Sequence, residues 1–577
     1  MFTTRFLHVL LLSSLAVAWV ELDPAIIPAL DEPLEVYSLG DPSFLPHEWL
    51  EEIVGNVAHG VKLTKRQDDS EYRSYVHYNG DEPAVSYQET TGETQVYADY
   101  PSLTPVTKDL ISLSDALKGV GPPADDTHTQ LTQGQNLGGS TANDMTKDDG
   151  LSGRWNDEEP DSIFLTTGFF QRSIECGGKK FPVCGPGSRA SFGVGAGNKI
   201  FSLSYRWKPA KKSGKKIKAN HAEKVAQAIK KALEGKGRVK VKHVDTCYYD
   251  SGVQYIQPVY RVLGESFPED NHDNATESSE ILRFFPIGDE PVENVLPGGA
   301  AAASEGQPGP AEPKENQHTE VARSLKRNYF EARTSLYERS GKPTITVGRY
   351  VTQKDIHEVE FLANANGFWN SLASSTSINF VNSQYYWAPS WIYGSGARWY
   401  VNSVNLALTE AHGWKHLFST WQGSPNIDPV RIPSTLPTDG YGPGPNNLGL
   451  AYWIIDAGEV IPAPIDFPSD PAQAFKPWWR VFCGGLHAVL GWRTKTLFAD
   501  DVAVNMAKAI AIKRPVASAW LDAALHDSAY ASGLKFNGRP YGRASVIYPC
   551  GRGSDQVTQV QKLGKPTCLT MQWWYDN

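Results

Sequence analysis

Residues 401–413 read Val-Asn-Ser-Val-Asn-Leu-Ala-Leu-Thr-Glu-Ala-His-Gly, and residues 448–458 read Leu-Gly-Leu-Ala-Tyr-Trp-Ile-Ile-Asp-Ala-Gly. Each is an apolar run of strand length that stops abruptly in polar residues and a glycine. A short continuous apolar run is the mark of a strand buried on both faces. Glu410, His412 and Asp456 therefore stand at the carboxyl ends of buried strands. In open α/β sheets that is the end where ligands bind and chemistry is done. The two strands are expected to be parallel neighbours, with His412 and Gly458 facing one cleft.

Working outward, the pattern keeps alternating. Residues 344–350 read as a strand and 359–372 as a helix, with Phe361, Leu362, Ala365 and Trp369 on one face. Residues 479–483 and 486–490 open another unit, 502–512 and 517–525 are strongly helical, and 544–548 form a last strand. Such alternation predicts a mainly parallel sheet sandwiched by helices, an α/β domain over residues 328–577. Upstream, 200–207 alternates as a strand. In 222–233, Val225, Ile229 and Leu233 make a helical stripe, and 239–244 and 253–263 are further strands. Residues 67–287 thus read as a smaller α+β domain. Residues 112–158 are rich in Gly, Thr and Asp, lack periodicity, and read as a long loop. Residues 288–327, with four consecutive alanines and three prolines between 306 and 313, read as a disordered linker that cannot bury enough apolar area to fold.

The ends and the cysteines speak to compartment. Arg5, an apolar run over 6–15 and Ala16-Val17-Ala18 make residues 1–18 a secretory signal peptide, too short for a membrane span. Export makes the six cysteines disulfide candidates. Cys176 with Cys184, and Cys550 with Cys568, are the local pairs, leaving Cys247 and Cys483 joined or free. Asn274-Ala275-Thr276 is a glycosylation sequon. Residues 19–66 are acidic and proline-spotted and end in Lys65-Arg66, which resembles a kexin-type processing site of the fungal secretory route. They are a candidate pro-segment whose removal starts the mature chain at Gln67. Lys326-Arg327 is a weaker site of the same kind.

The net charge is −9, yet residues 206–242 hold fourteen Lys and Arg against Glu223 and Glu234. In an exported protein such a block suits acidic glycans, or it docks on the chain's own acidic surface. Nucleic-acid recognition motifs are absent from the sequence, and no membrane span, metal or cofactor is expected.

Residues 344–494 carry four motifs in a fixed order. They are Asn364-Ala365-Asn366-Gly367-Phe368, Ala411-His412-Gly413, Asp456-Ala457-Gly458, and Gly485-Leu486-His487-Ala488-Val489-Leu490-Gly491-Trp492. This stretch, with the strand over 255–263 upstream, resembles an uncharacterised domain family of secreted bacterial and fungal proteins. That family is in turn similar to caspase- and gingipain-like cysteine peptidases. The resemblance implies a caspase-like α/β sandwich with His412 as base and a cysteine nucleophile after Asp-Ala. Here the nucleophile position is Gly458, and the glycine before the histidine is Ala411. The resemblance therefore implies a pseudoenzyme that binds an unknown ligand or protein partner in its old cleft.

Other readings stay open. A relocated nucleophile, Cys483, would make an active cysteine hydrolase with His412. His412 and His416, spaced as His-x-x-x-His, suit a metal only if a helix carried both, and Gly413 breaks that register. His487 is either a cleft residue or a satisfied core histidine. Tryptophans crowd the motifs, and indoles either fill cores or stack on sugars. Trp414 and Trp421, after His-Gly, are the ones placed to contact a ligand, so a glycan-binding module is the third class.

Overall fold

A computed structural model describes residues 19–57, 64–69, 74–79, 82–88, 90–143, 162–234, 238–267, 279–295, 309–314, 341–352, 358–421, 427–444, 447–497, 501–527, 530, 535–536 and 538–576. The signal peptide, the sequon and Lys326-Arg327 lie outside the described residues.

The first half supplies strands β1 (Val20–Glu21), β2 (Leu34–Leu39), β3 (Thr64–Asp69), β4 (Ser74–Asn79), β5 (Glu82–Gln88) and β6 (Glu93–Val96), with helix α1 (His47–Val57) after β2. Then come β7 (His128–Asn143), β8 (Leu165–Cys176), β9 (Lys179–Cys184), β10 (Arg189–Gly195), β11 (Lys199–Arg206) and β12 (Ala210–Ile217). Helix α2 (Ala222–Leu233) and strands β13 (Arg238–Asp250), β14 (Tyr255–Phe267) and β15 (Ser279–Pro286) close this half. The second half runs β16 (Thr344–Val351), α3 (Glu358–Ala373), β17 (Asn379–Trp387), β18 (Leu406–Glu410), β19 (Tyr452–Asp456), α4 (Trp478–Val481) and β20 (Ala488–Trp492). It ends with α5 (Val502–Ala511), α6 (Val516–His526), β21 (Ala544–Pro549) and β22 (Cys568–Tyr575).

The core of the second half is a mixed sheet in the order β17-β16-β18-β19-β20-β21-β22. The first five strands are mutually parallel, β21 runs antiparallel to β20, and β22 antiparallel to β21. As expected, the strands that lead to His412 and Asp456 are parallel neighbours, paired Leu406 to Tyr452 through Glu410 to Asp456. Alternation along them divides the core. Leu406, Leu408, Tyr452, Ile454, Leu490 and Trp492 face α3, α5 and α6, while Ala407, Trp453, Ile455 and Val489 pack on the other side.

Among the described residues, the long helices α3, α5 and α6 pack on one face of this sheet, where covering helices were expected on both. Opposite them lie the short α4, turns at 390–403 and a small antiparallel sheet of Gly413–Trp414, Leu417–Trp421 and Ile427–Arg431. Residues 427–444 carry four prolines, Pro429, Pro433, Pro437 and Pro443, which deny that crossover a helix.

The two halves are not separate layers. Strand β7 lies in the stretch read as a long loop, yet it pairs with β8 on one side and with β22, at the far end of the chain, on the other. The sheet then continues through β10, β11 and β6 to β5, β4 and β3. A second sheet joins β13 to β14, with β15 and β2 on the other edge of β14, β12 beyond β2, and β1 and β9 on β13. Residues 19–57 thus hold strands of this sheet, and Leu34, Val36 and Tyr37 are in its core.

The disulfides are Cys184–Cys247 and Cys550–Cys568, with Cys176 and Cys483 free. The local Cys176–Cys184 pair is not formed. The β8–β9 hairpin sets Cys176 opposite Lys179 at its turn and carries Cys184 away to β13, beside Tyr249. Among the described residues, no helix is long and apolar enough to cross a membrane.

Candidate functional site

Strand β16 comes first in the chain, β17 lies on one side of it, and β18, β19 and β20 are added on the other. The winding therefore reverses between β16 and β18, and the crevice at their carboxyl ends is where such sheets take ligands. Thr352, leaving β16, donates both its N–H and its Oγ1 hydrogen to the Glu410 carbonyl, each at 3.1 Å. The chain then leaves β18 at His412, beside this switch point.

His412 is half-buried, and its ring meets Phe361 of α3 edge to face at 5.5 Å. Gly413 explains the His-Gly pair. A Cβ there would lie 2.3 Å from the Gly458 carbonyl oxygen and 2.8 Å from the Ala457 Cβ. The two strand exits touch through that glycine, and the Ala411 N–H donates to the Asp456 carbonyl at 3.2 Å.

Asp456 is buried on the helix-covered face beside its register partner, the buried Glu410. Its Oδ1 accepts the Trp492 indole N–H at 2.6 Å, and its Oδ2 has no partner among the described residues. Burial pushes its pKa up to about 6, against the indole hydrogen bond that lowers it. Glu459 is also raised by burial. Trp492 stood in the sequence as the last residue of the fourth motif; no local signal marks it as the partner of Asp456.

Gly458 does not open into the crevice. A Cβ built there would point at the backbone of Lys495 and Thr496, 3.2 and 3.3 Å away. Cys483 sits in the turn before β20, its thiol 3.4 Å from the Trp479 carbonyl oxygen. That is the amino-terminal end of the sheet, and His412 is at the other. A five-residue strand spans about 16 Å, so His412 and Cys483 are not brought together.

His487 shares the amino-terminal end. It is fully buried, with Nδ1 2.6 Å from Asp555 and Nε2 2.7 Å from the Gln561 carbonyl oxygen. Both ring nitrogens are occupied, so it is a core histidine remote from the crevice. His416 diverges from His412. It stacks on Phe467 near Trp478, and burial pushes its pKa down to about 4. Among the described residues, no cluster of three metal-ligating side chains occurs. Trp414 is 49% exposed, and Trp421 closes the strand Leu417–Trp421. Trp453, Trp478 and Trp492 are core residues.

No family model matches this chain, and no curated protein matches it. Among solved structures, an uncharacterised protein from Eubacterium rectale is similar at 8% identity and a TM-score of 0.26, covering 48% of this chain and 89% of that one. A likeness of that size is too slight to bear on fold or function.

Proposed function

We propose that this is an exported protein whose second half is a degenerate caspase-like domain, a non-catalytic module that binds a ligand or protein partner at the carboxyl ends of β16, β18 and β19. One observation carries the reading. The chain leaves the sheet at His412 beside the switch point, with its neighbours Ala411 and Gly413 against Asp456-Ala457-Gly458, while the position where the resemblance expects a nucleophile is a glycine packed on the 495–496 backbone. The base-like residue and the strand ends are there; a thiol is not. The two disulfides favour an oxidising compartment, and with it the signal-peptide reading of residues 1–18.

The test pairs catalysis with binding. Purified protein should show no thiol-dependent turnover of a fluorogenic peptide library. Turnover abolished by Cys483→Ala would overturn the pseudoenzyme reading. Peptides enriched on the immobilised protein from a random display library should bind His412→Ala at least tenfold more weakly. Enriched peptides indifferent to that change would move the site elsewhere.

A second contact, with acidic glycans, is favoured by β12. Its Lys211, Lys212, Lys215 and Lys216 are all exposed on a strand whose sheet partner is β2. Retention on an immobilised sulfated polysaccharide should fall steeply with salt, and more so when these four lysines are changed to glutamine.

A further inference from the structure

The linker is not idle over its whole length. Residues 309–314, Gly-Pro-Ala-Glu-Pro-Lys, lie along the edge of β17 that β16 does not occupy. Ala311 bridges Tyr386 in parallel sense. Its N–H donates to the Tyr385 carbonyl at 2.9 Å, and its carbonyl accepts the Trp387 N–H at 3.1 Å. Three residues on, the Lys314 carbonyl accepts the Tyr400 hydroxyl at 3.4 Å.

The burial along this segment repeats every three residues. Pro310 and Pro313 are half-buried, whereas Gly309, Ala311, Glu312 and Lys314 are exposed. A strand would repeat every two; a polyproline II helix has three residues per turn and puts Pro-x-x-Pro on one side. Beside this edge stands a knot of rings, with Tyr386 5.3 Å from Tyr400 and Trp391 5.1 Å from Tyr400, each pair edge to face. Aromatic surfaces with a few hydroxyl donors are what proline-rich peptides dock on, because the extended segment loses little entropy on binding.

We propose that the β17 edge, with Tyr386, Trp391 and Tyr400, is a docking site for an extended Pro-x-x-Pro segment of a partner protein, held in the free chain by its own residues 310–314. A second copy of this chain is the weaker occupant. Its identical linker would compete against a tethered segment whose effective concentration is on the order of millimolar, and would gain nothing. Only a segment that fits better displaces the tethered one.

The probe is a labelled synthetic peptide with the sequence of residues 307–315, titrated by fluorescence anisotropy into the full chain. Pro310→Ser/Pro313→Ser empties the site by removing the inward face. Ala311→Pro empties it by a second route, removing the N–H that reaches Tyr385. Both emptied variants should bind the peptide at least tenfold more tightly than the wild type, and a peptide with serine for both prolines should bind none of the three. The changes lie in a short segment at the sheet edge, outside the buried core, so melting temperatures should stay close to the wild type. Equal or absent binding by wild type and variants, or equal binding of the serine peptide, overturns the site. A wild-type dimer that dissociates in the variants would also overturn the proposal, since it assigns the edge to a second copy.

Discussion

Gly413 is where one atom decides most. Its Cα lets the exits of β18 and β19 touch, and any side chain would have to push Gly458 or Ala457 away. Gly413→Ala should cost about 3 kcal/mol in urea denaturation, at the upper end for overpacking in a closed site. Gly458→Cys should cost less, about 1 kcal/mol, since its Cβ is only tightly held. Its thiol, turned toward the 495–496 backbone, should alkylate no faster than an ordinary cysteine. Asp456 makes a pH prediction. Its folded pKa of about 6 lies above the unfolded value near 3.9, so between those pH values the folded state holds the proton that the unfolded state has lost. Stability should therefore fall as pH rises from about 4 to about 6, by on the order of 2 kcal/mol, and then level off. Asp456→Asn keeps an acceptor for Trp492 and cannot ionise. Its stability relative to the wild type should rise across that window in denaturation curves taken at pH 4 and pH 7. An unchanged difference would show that Asp456 titrates normally.

Among the elements, α2 and α3 were legible because their apolar positions repeat at helical spacing. Gly367, inside α3, belongs to the contact with α5: a Cβ there would sit 2.7 Å from the Val504 side chain. Strand β7 was illegible. Its sequence, His-Thr-Gln-Leu-Thr-Gln-Gly-Gln-Asn-Leu-Gly-Gly-Ser-Thr-Ala-Asn, is polar and glycine-rich and has no period. The glycines make room for neighbouring rings: a Cβ on Gly138 would be 3.1 Å from Trp573, and one on Gly139 would be 2.5 Å from Phe164. Rings from other strands supply the apolar cover that β7 lacks. Helix α6 is buried along its whole length and carries an acid at its centre. Asp522 pairs with Arg514 at 3.2 Å and accepts from the Tyr100 hydroxyl at 2.7 Å and the Gln95 amide at 2.6 Å. Burial alone would raise its pKa, but Arg514 and His526 outweigh that and hold it well below the usual carboxylate range. Asp522→Ala should cost about 3–5 kcal/mol at neutral pH because Arg514 is left buried and uncompensated. A calorimetric loss below 1 kcal/mol would mean the network contributes nothing net.

On the scale of the whole molecule, that network and the β7–β22 ladder bind the two halves into one sheet system, although the sequence reads as two domains with a linker. The candidate pro-segment shows the same integration. Strand β2 pairs with β12 and β14, and β1 with β13, while Lys65 and Arg66 lie in β3, paired on β4. A chain cut after Arg66 should therefore keep the fragment bound. Gel filtration should show co-elution in buffer and separation only in denaturant. Release of the fragment in buffer would show that β1 and β2 add little to the fold.

The sequence by itself determined the elements whose information is local: the buried strands that lead to His412 and Asp456, the stripes of α2 and α3, and the helical stretches that became α5 and α6. These follow from periodicity and from the identity of single residues, which need no partner to be read. The tertiary structure alone decided that Cys483 and His487 lie at the opposite end of the sheet from His412, that Cys184 bonds to Cys247, and that a polar stretch becomes the strand joining both halves. It also decided that part of the linker docks on β17. Each of these depends on residues brought together across long stretches of chain. Backbone hydrogen bonds are the same for every sequence, so the pairing of distant strands leaves no local mark on the residues that make it.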